Sequence, residues 1–110
     1  MSFQHRGKGK TMDKKIKNAL LELGITPNLN GFRCIVEAVI YIMENNDAKT
    51  IDVYEHVANK LGCRAVNVER TIRHCVTKAD RDSEAWKKYI GTKKANNTTF
   101  LFVLAMKMED

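Results

Sequence analysis

Apolar residues recur at intervals of three and four along most of this sequence, and glycine or proline interrupts the pattern between stretches. Such intervals place side chains on one face of an α-helix, whereas a half-buried strand requires strict alternation. Because 110 residues suffice for one hydrophobic core and are too few for two ordinary domains, we expect an all-α fold, a single compact domain of about six helices. The predicted helices begin near Asp13, Phe32, Asp52, Ala65, Ala85 and Asn97 or Thr98.

Two of the predicted helices are apolar around most of their circumference. FRCIVEAVIYIMENN, residues 32–46, is therefore predicted to be the central helix of the core. The last stretch, NNTTFLFVLAMKMED, is continuously apolar from Phe100 to Met106 and also has the propensity of a buried strand. Since no second stretch offers a convincing partner strand, a helix buried on several sides is predicted there.

The first eleven residues, MSFQHRGKGKT, are basic and contain glycine but no apolar periodicity. Such a segment gains little from packing, so residues 1–11 are predicted to form a flexible basic arm. Residues 12–110 are predicted to form the helical domain.

The net charge of +6 is unevenly distributed along the chain. Residues 64–94 carry nine lysines or arginines against four acidic residues, whereas residues 22–61 carry six acidic residues against three basic ones. A separated basic region is expected of a protein that binds a phosphate backbone, although ordinary surface lysines are an equal alternative from charge alone.

The third and fourth predicted helices have the spacing of a helix-turn-helix. This motif requires a small residue where the helices cross, a glycine four residues later for the turn, and a branched apolar residue six further on. Ala58, Gly62 and Val68 meet these requirements. The next seating position is Thr71, so Ile72 must take that place.

A helix-turn-helix places the first half of its second helix in the major groove of DNA. Arginine can bond two acceptor atoms of guanine, asparagine suits adenine, valine suits the thymine methyl, and glutamate can accept from cytosine or hold an arginine four residues along. The predicted base-reading residues are Val66, Asn67, Glu69, Arg70 and Arg73. The predicted phosphate-binding residues are Arg64, His74, Thr77, Lys78, Lys93 and Lys94. The alternative for His74 is a solvated surface histidine, and a solvated loop is an equal alternative for Lys93 and Lys94.

Other classes of function find little support in the sequence. The spacing of His56, Cys63, His74 and Cys75 matches no zinc motif, so neither a metal site nor a cofactor is predicted. No paired carboxylates, nucleophile with a base, or phosphate-binding loop suggests an enzyme. Three cysteines without a CxxC pair, no signal peptide and no long apolar run predict a cytoplasmic protein without a membrane segment.

Three motifs point to a known family. VERTIRH, residues 68–74, lies in the predicted base-reading helix; LGITPNLNGF precedes a helix that contains EAVI; and NNTTF precedes the last apolar stretch. With these motifs the sequence resembles, from about Ile16 to Met108, the C-terminal effector domain of the master response regulator of sporulation in spore-forming bacteria.

This resemblance implies an all-helical domain that regulates transcription and binds specific DNA sequences through Glu69, Arg70, Arg73 and His74. It also implies self-association on tandem DNA sites through the last helix, Phe100 to Met108, and RNA polymerase as a further partner. Asn67 departs from the family pattern, which has an arginine there, so a different DNA site is expected. The alternative is a protein-interaction module of the same fold that pairs with a full-length relative and binds DNA weakly or not at all.

Overall fold

The computed structural model describes residues 2–109, with side chains from residue 12 onward. This part of the chain forms six helices and no strand, which confirms the all-α prediction. The helices are α1 (Ser2–Glu22), α2 (Asn30–Glu44), α3 (Thr50–Leu61), α4 (Ala65–Lys78), α5 (Glu84–Tyr89) and α6 (Asn97–Glu109). None of them combines the length and apolar character that crossing a bilayer requires.

Helix α2 lies at the centre of the fold, as predicted. It packs against α1, α3, α4 and α6, and its buried side chains include Ile35, Val39 and Ile42. The largest buried side chains elsewhere are Trp86 on α5 and Phe100 on α6, whose ring centroids are 5.8 Å apart. Trp86 and Phe100 thus join α5 and α6 to the same continuous core.

Helices α3 and α4 form the predicted helix-turn-helix. Gly62 follows α3 with φ of 75°, a left-handed conformation that residues with a Cβ atom resist. The backbone N–H groups of Gly62 and Cys63 both donate to the carbonyl of Ala58 and close the end of α3. Val68 and Ile72 are fully buried, so Ile72 does take the seating position that Thr71 cannot fill.

The residues near which the third and last helices were expected to begin are not their N-caps. Asp52 does not open α3; it is the third helical residue, and its carboxylate accepts from the backbone N–H of Lys49 at 3.1 Å. Helix α6 is capped by Asn96, rather than by Asn97 or Thr98: the Asn96 side-chain oxygen accepts from the Thr99 N–H at 2.9 Å. Either side chain satisfies an N–H group that the helix itself leaves unpaired.

Helix α1 begins at Ser2, well before the predicted start near Asp13. Asp13 lies inside the helix and pairs with Lys17 at 3.3 Å, because residues four apart are neighbours on a helix surface. The side chains of residues 1–11 lie outside the described part of the chain, so the flexible basic arm stays a prediction.

Candidate nucleic-acid interface

Helix α4 has one buried and one exposed face. Its buried side chains are Val68, Ile72, Cys75 and Val76. Arg70 is two positions from both Val68 and Ile72, and at 3.6 residues per turn two positions correspond to the opposite side of a helix. Arg70 therefore lies at the centre of the exposed face, with the rest of the protein behind it.

A close contact with α2 fixes the rear of α4. A Cβ atom at Gly31 would lie 2.6 Å from the carbonyl oxygen of Thr71 and 2.5 Å from Sγ of Cys75. Only a residue without a side chain allows the two helices to approach this closely. Gly31 lies in the first turn of α2.

The predicted base-reading residues share the outer side of α4. Val66, Asn67, Arg70 and Arg73 are exposed, whereas Glu69 is partly buried. The Glu69 carboxylate accepts from the Arg73 guanidinium at 3.1 Å, with 61% of the Arg73 side chain still exposed. The structure thus contains the Glu69–Arg73 pair, one of the two roles considered for Glu69.

The predicted phosphate-binding residues differ in the partners that they already have. Arg64, His74, Lys78 and Lys94 are exposed. The Thr77 hydroxyl donates to the Arg73 carbonyl at 2.8 Å, so its only hydrogen is already used. A phosphate oxygen, which can only accept, would have to displace that bond.

Lys93 also has a partner. Its ammonium lies 2.7 Å from the Asp82 carboxylate, and both side chains are well exposed. The hydrogen bond and the opposite charge raise the pKa of Lys93 and lower the pKa of Asp82. Because exposed pairs of this kind are weak, a phosphate can compete for Lys93.

Sequence reasoning missed Arg81, which lies beside the same surface. Its guanidinium stacks 4.8 Å from the centroid of the Trp86 ring and donates to the Lys93 carbonyl. Arg81 and Arg73 both line a cleft of about 410 Å³ between α4 and the start of α6. The available signal was the tryptophan five residues after Arg81, but this spacing alone does not predict that the two side chains stack.

Sequence reasoning also missed Asn97, a buried polar side chain beside the same cleft. Its amide nitrogen donates to the backbone carbonyl of Glu69 at 3.0 Å and to the Tyr54 hydroxyl at 3.2 Å. One side chain of α6 thus contacts both helices of the helix-turn-helix.

Two of the candidate metal ligands of the sequence are engaged in other contacts in the structure. The His56 ring stacks on Tyr41 with centroids 4.2 Å apart, and Cys75 is buried between α4 and α2. Burial raises the pKa of Cys34 to about 11, so this thiol is neutral and a poor metal ligand near pH 7. Across the residues whose side chains are described, no three histidine, cysteine or acidic side chains form a group that could hold a metal ion.

A family model described as "Sporulation initiation factor Spo0A C terminal" matches residues 16–108. No individual curated protein matches the sequence. The matched range contains all six predicted phosphate-binding residues, all five predicted base-reading residues and both helices of the helix-turn-helix. The chain therefore belongs to the family of the C-terminal domain of the sporulation initiation factor Spo0A, a DNA-binding effector domain of the sporulation regulator.

Proposed function

We propose that the protein is a sequence-specific regulator of transcription that reads the major groove of duplex DNA with the exposed face of α4. The observation that carries this proposal is the environment of Arg70. Its side chain is exposed at the centre of that face, and no carboxylate within residues 12–109 forms an ion pair with it. An arginine in this position keeps all its donors available for a ligand.

The dimensions of α4 suit the groove. An α-helix with its side chains is about 10–12 Å across, and the major groove of B-DNA is about 12 Å wide. Arg70 would bond O6 and N7 of a guanine, a contact that discriminates against other bases by about 1–3 kcal/mol. Arg73 would read a neighbouring base while Glu69 holds its guanidinium, and Val66 and Asn67 would contact bases near the start of α4.

Phosphate contacts would fix the position of the protein on the duplex. Arg64 precedes α4, and His74 and Lys78 lie on its second half, so they can reach the backbones on either side of the groove. Lys94 is exposed beside Lys93 in the segment before α6. Lys93 would exchange Asp82 for a phosphate oxygen when DNA binds.

Self-association through α6 is a further part of the proposal. The inner side chains of α6 are buried, while Phe102 and Val103 are partly buried and Met106 is 66% exposed on its outer side. An apolar outer side of this kind is suited to contact between two copies on adjacent DNA sites. Met106→Glu should lower cooperative binding to a tandem duplex and leave binding to a single site unchanged, whereas Lys107→Gln should alter neither. RNA polymerase as a partner stays a prediction.

The same outer side of α6 favours a second candidate function, a protein-interaction module that pairs with a full-length relative. In that case the apolar contact would be the primary activity and the basic face of α4 would bind DNA weakly. The two functions differ in one measurable property, which is affinity for duplex DNA at physiological salt.

The experiment is a selection of duplexes from a random pool, followed by titration of the selected duplex and a scrambled duplex over a range of salt. A specific reader should prefer the selected duplex at every salt, while log affinity falls linearly with log salt. Arg70→Ala should reduce the preference by about 1–3 kcal/mol. Arg33→Ala removes an exposed arginine from α2 instead and should retain the preference. Negligible binding at physiological salt, together with a stable complex with a full-length relative, would favour the interaction module.

A further inference from the structure

A single amide group in the interior connects three helices. Asn97, the first residue of α6, is 8% exposed. Among residues 12–109 it is the one buried residue with a polar amide or charged side chain. Its nitrogen Nδ2 lies 3.0 Å from the carbonyl oxygen of Glu69 on α4 and 3.2 Å from the hydroxyl of Tyr54 on α3. The two helices of the helix-turn-helix and the last helix thus meet at one side chain.

The chemistry of the partners fixes the orientation of this amide. A backbone carbonyl can only accept, so the nitrogen of Asn97 rather than its oxygen must face Glu69. The second N–H of the amide is directed to the Tyr54 hydroxyl. The Tyr54 hydroxyl oxygen accepts this bond, and burial raises the pKa of Tyr54 further above neutral pH. Both donors of the Asn97 amide are therefore used.

The carbonyl that Asn97 contacts belongs to the turn of α4 that carries the predicted base-reading side chains. Glu69 accepts from Asn97 through its backbone and from Arg73 through its carboxylate, at 3.1 Å. Arg70 is the next residue along the chain. A shift of the Glu69 carbonyl would thus move both arginines together.

Packing holds this turn from behind, where Gly31 lies against Thr71 and Cys75. The apolar contacts of Val68 and Ile72 with the core have no preferred direction of their own. A hydrogen bond loses strength when its angle or length changes, so it resists small rotations of α4 about its axis. Bidentate contacts with a base require positional accuracy of about 0.5 Å.

We infer that Asn97 is a positioning residue for DNA recognition: its bond to the Glu69 carbonyl sets the rotation of α4 and so aligns Arg70 and Arg73 with the bases. This inference rests on the proposed function of α4. It also makes the start of α6 part of the recognition apparatus, although Asn97 itself touches no base.

The test compares Asn97→Asp with Asn96→Asp. Asn97→Asp keeps the shape of the side chain, removes the donor and turns a carboxylate oxygen toward the Glu69 carbonyl. Asn96→Asp adds the same charge one residue away, and aspartate caps a helix as well as asparagine does, so the bond to the Thr99 N–H is retained. The measured quantity is the ratio of the dissociation constants for the scrambled and the selected duplex, at one salt concentration.

Both variants should weaken binding to both duplexes through the added charge. Asn97→Asp should in addition lower the ratio about tenfold, as expected when about 1.4 kcal/mol of base discrimination is lost. Asn96→Asp should leave the ratio within about twofold of the wild type. An unchanged ratio in folded Asn97→Asp would overturn the inference.

Two further variants separate positioning from stability. Tyr54→Phe removes the other acceptor of Asn97 and keeps its bond to Glu69, so it should lower thermal stability but retain the ratio. A ratio that falls as far in Tyr54→Phe as in Asn97→Asp overturns the inference, because general loosening then explains both. Asn97→Ala removes the donor without adding a charge, and it replaces Asn97→Asp if that variant does not fold. A wild-type protein without any sequence preference contradicts the proposed function itself.

Discussion

Helices α4 and α6 both pack against α2, but they present different surfaces to water. Helix α4 places Arg70, Arg73, His74 and Lys78 on its outer side, whereas α6 places apolar side chains there, with Met106 the most exposed. A charged surface stays hydrated until a charged ligand binds, while an apolar surface gains from being removed from water. This difference is the basis for proposing two distinct contacts, one with DNA through α4 and one with protein through α6.

The largest expected effect separates the inner and outer sides of α6. Phe100 is fully buried against Trp86, so Phe100→Ala should lower the free energy of unfolding by about 3–5 kcal/mol. Val103 is only partly buried, and Val103→Ala should cost less than about 1 kcal/mol. Urea unfolding followed by circular dichroism at a helix band measures both values, since Trp86 fluorescence is altered directly by the first change. If both variants lower the free energy of unfolding equally, the outer side of α6 is also part of the core.

An intermediate effect is expected where α4 lies on α2. Gly31→Ala forces a methyl group to within 2.6 Å of the Thr71 carbonyl, and α4 must move because the obstructing atom belongs to the backbone. The expected loss of stability is about 1–3 kcal/mol, with a lower preference for the selected duplex. The proposed self-association through α6 should be unaffected. Urea unfolding and DNA titration of the same preparation measure these properties.

The control for this prediction is the neighbouring position. Asn30 is exposed at the start of α2, and Asn30→Ala should change the free energy of unfolding by no more than about 0.5 kcal/mol. If Gly31→Ala is as stable and as selective as Asn30→Ala, α4 is not fixed by this close approach.

The smallest expected effect concerns the segment between α5 and α6. Asp82→Asn releases Lys93 and should raise affinity for every duplex about threefold without changing the preference. Glu84→Gln removes the same charge from the Glu84–Lys87 pair on α5 and should raise affinity less. An equal increase in both variants would mean that Lys93 does not bind a phosphate.

The pKa shift of Asp82 also fixes the pH range in which the Asp82–Lys93 ion pair is present. The pKa of Asp82 is lowered by Lys93, so the carboxylate stays ionised down to a pH below its ordinary value of 3.8. The pair is therefore fully present above pH 3.8, and it is lost as the pH falls through the lowered pKa of Asp82. At neutral pH the effect of Asp82→Asn should not change with pH.

The two helices also differ in how far the sequence predicts them. In α4, apolar residues recur at spacings of three and four, and basic residues lie between them. This pattern predicts which side of α4 is buried and which is exposed, and Gly62 predicts where the turn before it lies. Helix α6 is apolar almost all round, so neither its secondary structure nor its outer side follows from periodicity. The cap at Asn96 and the absence of a strand from the described residues resolve that ambiguity.

The contacts that orient α4 could not be predicted from local patterns. An asparagine before an apolar helix indicates a cap, and Asn97 instead bonds a carbonyl 28 residues away. Gly31 in a loop-like stretch indicates a turn, because its role depends on where α4 lies in space. The stacking of Arg81 on Trp86 likewise depends on the path of the chain before α6.

The most direct test of the central claim is the sequence preference of Arg70→Lys. Lysine retains the positive charge but lacks the planar fork that bonds two acceptors of one guanine. If α4 reads bases, the dissociation constant for the selected duplex should rise about tenfold or more, with the value for the scrambled duplex and the salt dependence unchanged. A variant that keeps the full preference would show that Arg70 supplies only charge, and would contradict the assignment of α4 as the base-reading helix.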